Sequence, residues 1–97
     1  MDYQIIKQPS RGVIKILENR CLAGDFFKDR AFDTIGLVQG KLTQMLLAAD
    51  IAEKASGVDV LEIKGVCPQH FTMIAIFGDT AAVTEAMDRI KLHFEKG

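Results

Sequence analysis

The spacing of apolar positions changes several times along this chain, and each change predicts an element. Residues 3–7 alternate weakly around Tyr3, Ile5 and Ile6 and stop at Pro9-Ser10, a short strand or arm expected to lie outside the main core. Pro9 is expected to push Gln8 toward extended geometry. Gly12 then opens the run Val13-Ile14-Lys15-Ile16-Leu17, whose β-branched residues predict a strand. Residues 19–29 carry Gly24-Asp25 and clustered charge and read as a connection, with one helical turn over 25–28 if Asp25 caps it. Residues 32–38 predict the next strand, with Gly36 marking a place of close backbone approach.

The second half is more regular. Residues 41–56 predict a helix with Leu42, Met45, Leu46, Ala49 and Ala52 at helical spacing, and Gly57 stops it. Its alanines make a narrow surface suited to close packing on a sheet. Two strand-like runs follow, 58–64 and 71–77, the latter apolar on both faces as a central covered strand should be. Gly78-Asp79 leads into a last helix with Asp79 as N-cap and Val83, Met87, Ile90 and Phe94 as its stripe. The sum is an α+β domain of four main strands and two helices, the helices on one face. No repeat, linker or low-complexity tract interrupts it.

Between the two late strands lies Gly65-Val66-Cys67-Pro68-Gln69-His70. Gly65 removes a Cβ where the backbone turns, and Pro68 fixes its own φ between Cys67 and His70. A rigid turn presenting a thiol is the feature that chemistry must account for.

Composition narrows the choices. The chain has 97 residues, enough for one domain, and 48% of them are apolar, high enough that some apolar surface is expected between subunits. The net charge of −1 and the lack of a basic tract argue against nucleic acid. With no signal peptide, long apolar run or lipidation motif, a cytosolic, soluble protein away from membranes is expected. Its two cysteines, Cys21 and Cys67, are then expected to be reduced. Cys21 reads as a small buried hydrophobe. No nucleophile–base or phosphate-loop pattern occurs, so no enzyme and no catalytic residue is expected. His93 reads as a surface residue.

A single Cys67 cannot build a metal site, since structural zinc and iron–sulfur sites take about four soft ligands. If identical subunits met on an axis, one cysteine per chain would become a ring of thiols. Cys67-Pro68 also resembles the end of bacterial ferredoxin cluster motifs.

Longer stretches carry a resemblance. Thr34-Ile35-Gly36-Leu37-Val38, then Ala48-Ala49-Asp50-Ile51-Ala52-Glu53-Lys54-Ala55, then the strand 58–64, a loop, a β-rich strand and Gly78-Asp79 with Ala82-Val83 are similar to bacterial microcompartment (BMC-domain) shell proteins. The resemblance spans roughly residues 32–95. In typical members one strand follows the second helix; here the chain stops at Gly97, while residues 11–19 offer a spare strand beforehand. That order resembles the circularly permuted shell proteins of propanediol and ethanolamine compartments. It implies a permuted BMC-domain fold with a shell domain over 11–97 and an N-terminal arm over 1–10, whose residues 3–7 would be a stave of a small barrel over the pore.

The resemblance further implies a homohexamer that tiles with neighbouring shell proteins around encapsulated enzymes in the bacterial cytoplasm. Gly65, Val66, Cys67, Pro68, Gln69 and His70 would line its central pore, and Lys54 would lie at the hexamer edge. No counterpart is found for the arginine that usually joins that lysine. The Cys-Pro departs from the small Gly/Ser-rich turn of typical members and is most similar to the shell protein of glycyl-radical propanediol compartments, a group associated with an iron–sulfur cluster at the pore. Cys67 would then be the metal ligand of a shared 4Fe-4S cluster serving electron or cluster transfer. Three alternatives stay open: an inert or metabolite-conducting pore narrowed by Cys67, a His70 packed against the next subunit, and a dimeric or trimeric ligand-sensing domain.

Overall fold

The computed structural model describes residues 1–55, 57–65 and 71–95. Seven elements follow in order: β1 (Asp2–Lys7), α1 (Arg11–Arg20), β2 (Thr34–Lys41), α2 (Leu42–Ala55), β3 (Asp59–Ile63), β4 (Phe71–Gly78) and α3 (Thr80–Phe94). The strands form one sheet in the order β1-β2-β4-β3, each neighbouring pair antiparallel. The fold class is therefore the α+β expected, with three helices rather than two.

β4 is the last strand in sequence and sits inside the sheet. Thr34 to Lys41 pair with Gly78 to Phe71 on one side, and Asp59 to Ile63 pair with Phe77 to Met73 on the other. Because side chains alternate across a sheet, β4 feeds two cores. Ile74 and Ile76 join Val38, Met45, Ala48, Ala52, Val83 and Met87 beneath α2 and α3. Ala75 and Phe77 join Ile35, Ile63, Leu17, Cys21 and Phe27 on the opposite face. The apolar-on-both-faces reading of residues 71–77 holds for this reason.

Two elements differ from expectation. Residues 13–17 are helical, not extended. Ser10 is the N-cap, its hydroxyl accepting from the Val13 amide at 3.3 Å. Val13 and Ile14 are half-buried and Leu17 and Cys21 buried, a helical spacing, whereas Ile16 is 58% exposed. One-sided burial and a cap outweigh the small helix penalty of β-branched residues. The two helices expected, α2 and α3, do share one face, and α1, the unexpected third, lies on the opposite one.

The fourth strand comes instead from residues 2–7. Expected as an arm outside the main core, they pair with Gln39 to Thr34 along their whole length, and Tyr3 packs on the core under α3. The arm expected outside the core is therefore an edge strand of the sheet. At its end Gln8 has φ 48 rather than extended geometry, and its amide donates to the Asp33 carbonyl at 2.7 Å.

Residues 21–33 hold the α1 side together. Tight turns close at Phe26→Ala23 and Lys28→Asp25, in place of the helical turn expected over 25–28. Phe26, Phe27, Phe32 and Phe77 form a ring cluster with centroids between 5.1 and 5.8 Å apart. The Arg30 guanidinium lies 4.2 Å from the centroid of Phe26 and donates to Asp59 at the start of β3, at 3.3 Å.

α3 meets the sheet at Gly36. A Cβ there would stand 2.7 Å from the Met87 sulfur and 3.1 Å from a Val83 methyl, so the close approach expected of this glycine is real. The helix start is fixed twice: Asp79 Oδ1 accepts from the Ala82 amide at 2.7 Å, and Asp33 Oδ2 from the Thr80 amide at 3.1 Å. Gly36→Ala should cost about 1–3 kcal/mol by overpacking, and Asp79→Ala about 1 kcal/mol by loss of the cap. Both are read as lower denaturant midpoints at unchanged m-value.

Candidate functional site

The β3–β4 hairpin sets where the loop sits. Ile63 pairs with Met73 and Phe71 with Lys41, so the loop leaves the sheet beside the β2–α2 junction. Val66, Cys67, Pro68, Gln69 and His70 lie outside the described residues; Gly65 is described and exposed.

What can be described is the rim. Leu42, Ile63, Gly65 and Phe71 border a recess of about 190 Å³ with Glu62, Lys64 and Thr72. Lys64 Nζ lies 3.2 Å from Glu62, whose other oxygen accepts from the Thr72 hydroxyl at 3.1 Å. Beside this screened pair, Leu42 is 48%, Leu46 66% and Phe71 52% exposed. Of the residues at helical spacing in α2, Leu42 and Leu46 lie on its flank; Met45, Ala48 and Ala52 take the buried positions. Exposed apolar side chains gathered at one edge suit contact with another chain better than contact with water.

α2 separates the loop from the other expected site. It starts beside the loop rim, and Lys54 falls in its last turn, about 18 Å along the axis at the helical rise per residue. Lys54 is exposed and pairs with Asp50 at 2.9 Å, one turn before it. The structure therefore puts Gly65 and Phe71, the described residues flanking the loop, at one end of α2 and Lys54 at the other.

Among the described residues, no group of three or more His, Cys, Asp or Glu side chains could hold a metal ion. Cys21 is buried under α1 at 7% exposure, and burial pushes its thiol above the ordinary value. It is the small hydrophobe expected. His93 is exposed, its ring edge-on to Phe94. No described helix is long and apolar enough to cross a membrane.

The phenylalanine cluster with Arg30 escaped the sequence reading, although three phenylalanines within residues 26–32 were the signal for it. A connection that dense in aromatic residues has a core of its own.

With a raised thiol pKa in the folded state, the unfolded chain loses that proton first as pH rises. Stability is then full below the unfolded thiol pKa and falls above it. In a Cys67→Ser protein, Cys21 should stay unmodified by an aromatic disulfide reagent in native buffer and react fully in denaturant, with thermal stability declining above about pH 8.5.

The profile of the BMC domain family matches residues 34–97, leaving β1 and α1 outside the matched stretch. No curated protein matches the chain. Among solved structures, the ligand-free GrpU microcompartment shell protein from Clostridiales bacterium 1_7_47FAA is 42% identical, covers 96% of this chain and 94% of its own, and superposes with a TM-score of 0.71. The ligand-free GrpU shell protein from Pectobacterium wasabiae is 34% identical over 93% of this chain and 99% of its own, TM-score 0.72. A fused permuted hexameric shell protein from the RMM microcompartment shares the fold, with TM-score 0.74, at 18% identity over 99% of this chain and 45% of that one. The chain belongs to the BMC-domain family and is a structural, non-enzymatic shell protein of a bacterial microcompartment, similar to GrpU.

Proposed function

We propose that the protein forms a cyclic homohexamer whose central pore is lined by residues 65–70, and that Cys67 of several subunits together holds an iron–sulfur cluster. The observation that supports this reading is the polarity of α2: Gly65 and Phe71, which flank the loop, border its start and Lys54 lies in its last turn. A loop at the axis and a lysine at the rim, against the neighbouring hexamer, need that separation. The exposed Leu42, Leu46 and Phe71 beside the loop are suited to burial against the next subunit of a heterologous ring.

The same reading makes the chain a circular permutant. β1 supplies the strand that in typical members follows the second helix, a role the sequence had suggested for residues 11–19.

The donor set decides how a cluster would be held. Thiolate is the natural ligand of iron–sulfur clusters, and a four-iron cubane takes four of them. Six Cys67 side chains around an axis would exceed that number, so no more than four of them would be ligands. Crowded thiolates repel one another, so metal would displace protons from them. Backbone amides near Gly65 and Val66 would donate to the sulfurs. Such a cluster would supply one-electron chemistry within the shell wall, for exchange between the bacterial cytoplasm and enzymes enclosed in the lumen.

Protein purified without oxygen should elute as a hexamer, carry iron and acid-labile sulfide, and absorb in the visible. Cys67→Ser should lose iron, sulfide and colour while remaining hexameric. A hexamer without iron would leave Cys67 as an inert constriction of the pore. A dimer or trimer would overturn the ring itself and revive the ligand-sensing alternative.

A further inference from the structure

The two edges of the sheet are secured differently. β3, at one edge, is clamped at both ends from the α1 side: Arg30 donates to Asp59 at 3.3 Å, and the Lys64 amide to the Arg20 carbonyl at 2.6 Å. β1, at the other edge, pairs with β2 from Asp2 to Lys7 and packs on the core through Tyr3, whose ring centroid lies 5.3 Å from the Lys91 ammonium. Ile6 is half-buried and Ile5 is 37% exposed. These partners of β1 all lie on β2 or α3, beyond the connection that follows it. A second copy of the chain presents the same β2 edge and the same α3, so β1 would keep these contacts by pairing there instead.

The connection itself favours such a change. Gln8, Pro9 and Ser10 join β1 to α1. Gln8 holds φ 48, a left-handed conformation that a residue with a Cβ seldom takes, and the proline after it favours extended backbone. Folding β1 back onto its own sheet therefore strains the hinge, and an extended Gln8 would relieve that strain while carrying β1 away. The bond that opposes the change runs from the Gln8 amide to the Asp33 carbonyl at 2.7 Å. Short strained hinges invite domain swapping, and an edge strand is the element most readily exchanged.

We propose that β1 is exchanged between copies of this chain, Asp2 to Lys7 of one pairing with Thr34 to Gln39 of another. In an assembled shell the copies already lie side by side, so most of the entropic cost of meeting a second chain is met before the strand moves. The exchange would tie two subunits together through a six-residue strand. It uses neither Cys67 nor the loop around it, so it goes beyond the pore reading and does not depend on it.

The test uses two full-length chains in a Cys67→Ser background, one with Asp2→Cys and the other with Gln39→Cys. They are produced together, purified through a different tag on each, and oxidised. Asp2 and Gln39 face each other in the β1–β2 register, so exchange should join the two chains by a disulfide. Gln8→Gly accepts the left-handed turn without strain and should lower the ratio of exchanged to closed chains roughly tenfold per hinge. Gln8→Val, stiffer and less tolerant of that turn, should raise it. Gln8 is exposed, so both variants should keep the wild-type circular dichroism. The proposal falls if the mixed chains give no heterodisulfide while a chain carrying both cysteines oxidises wholly within itself. It falls if the disulfides join one Asp2→Cys chain to another, the result expected were two β1 edges to abut. It falls equally if Gln8→Gly and Gln8→Val leave the yield unchanged.

Discussion

The position of β4 governs the rest of the molecule. A strand made late in the chain is inserted between β2 and β3, and its alternate side chains close two separate cores. Moving it by one residue would exchange Ile74 and Ile76 with Ala75 and Phe77 across the sheet, placing a phenylalanine against α3 where Gly36 already allows no extra atom. The register is thereby pinned, and with it the place where the β3–β4 loop emerges. Gly65 and Phe71, the described ends of that loop, thus leave and rejoin the sheet at fixed positions.

The second constraint is the closeness of α3 to β2. With no side chain at Gly36, Met87 and Val83 rest against the backbone of the strand. Asp33 and Asp79 then fix the first turn of the helix from two directions, and the Thr34 and Thr80 hydroxyls, 2.7 Å apart, join strand end to helix start. The α2/α3 layer is thus fixed to the sheet by close packing at Gly36 and by hydrogen bonds at the start of α3. The α1 layer relies on aromatic contacts and on Arg30 spanning from Phe26 to Asp59.

Elements with a long and consistent pattern were legible in the sequence: β2, β4, α2 and α3, together with the Asp79 cap and the packing role of Gly36. α1 was not, because three β-branched residues in five outweigh helical spacing in so short a run, and the Ser10 cap is a weak local signal. β1 looked like an arm because an edge strand has one neighbour and only Tyr3 and Ile6 are half-buried along it. The loop was legible as chemistry, since a cysteine beside a proline between two strands stands out in any chain. The ligand role proposed for it cannot be read locally, because it would depend on copies of the chain rather than on neighbours within it. The distance between the loop and Lys54 is a third kind of property. It is a length along a helix, and the sequence states it as soon as the helix is recognised.

The start of α2 beside the loop has an electrostatic consequence. Peptide dipoles along a helix leave about half a positive charge at its N-terminus, and in this domain that end borders the recess lined by Gly65 and Phe71. Rotated about an axis, such helices would converge their positive poles on whatever occupies the centre. The backbone alone would then favour an anionic guest there over a cationic one, before any side chain is counted.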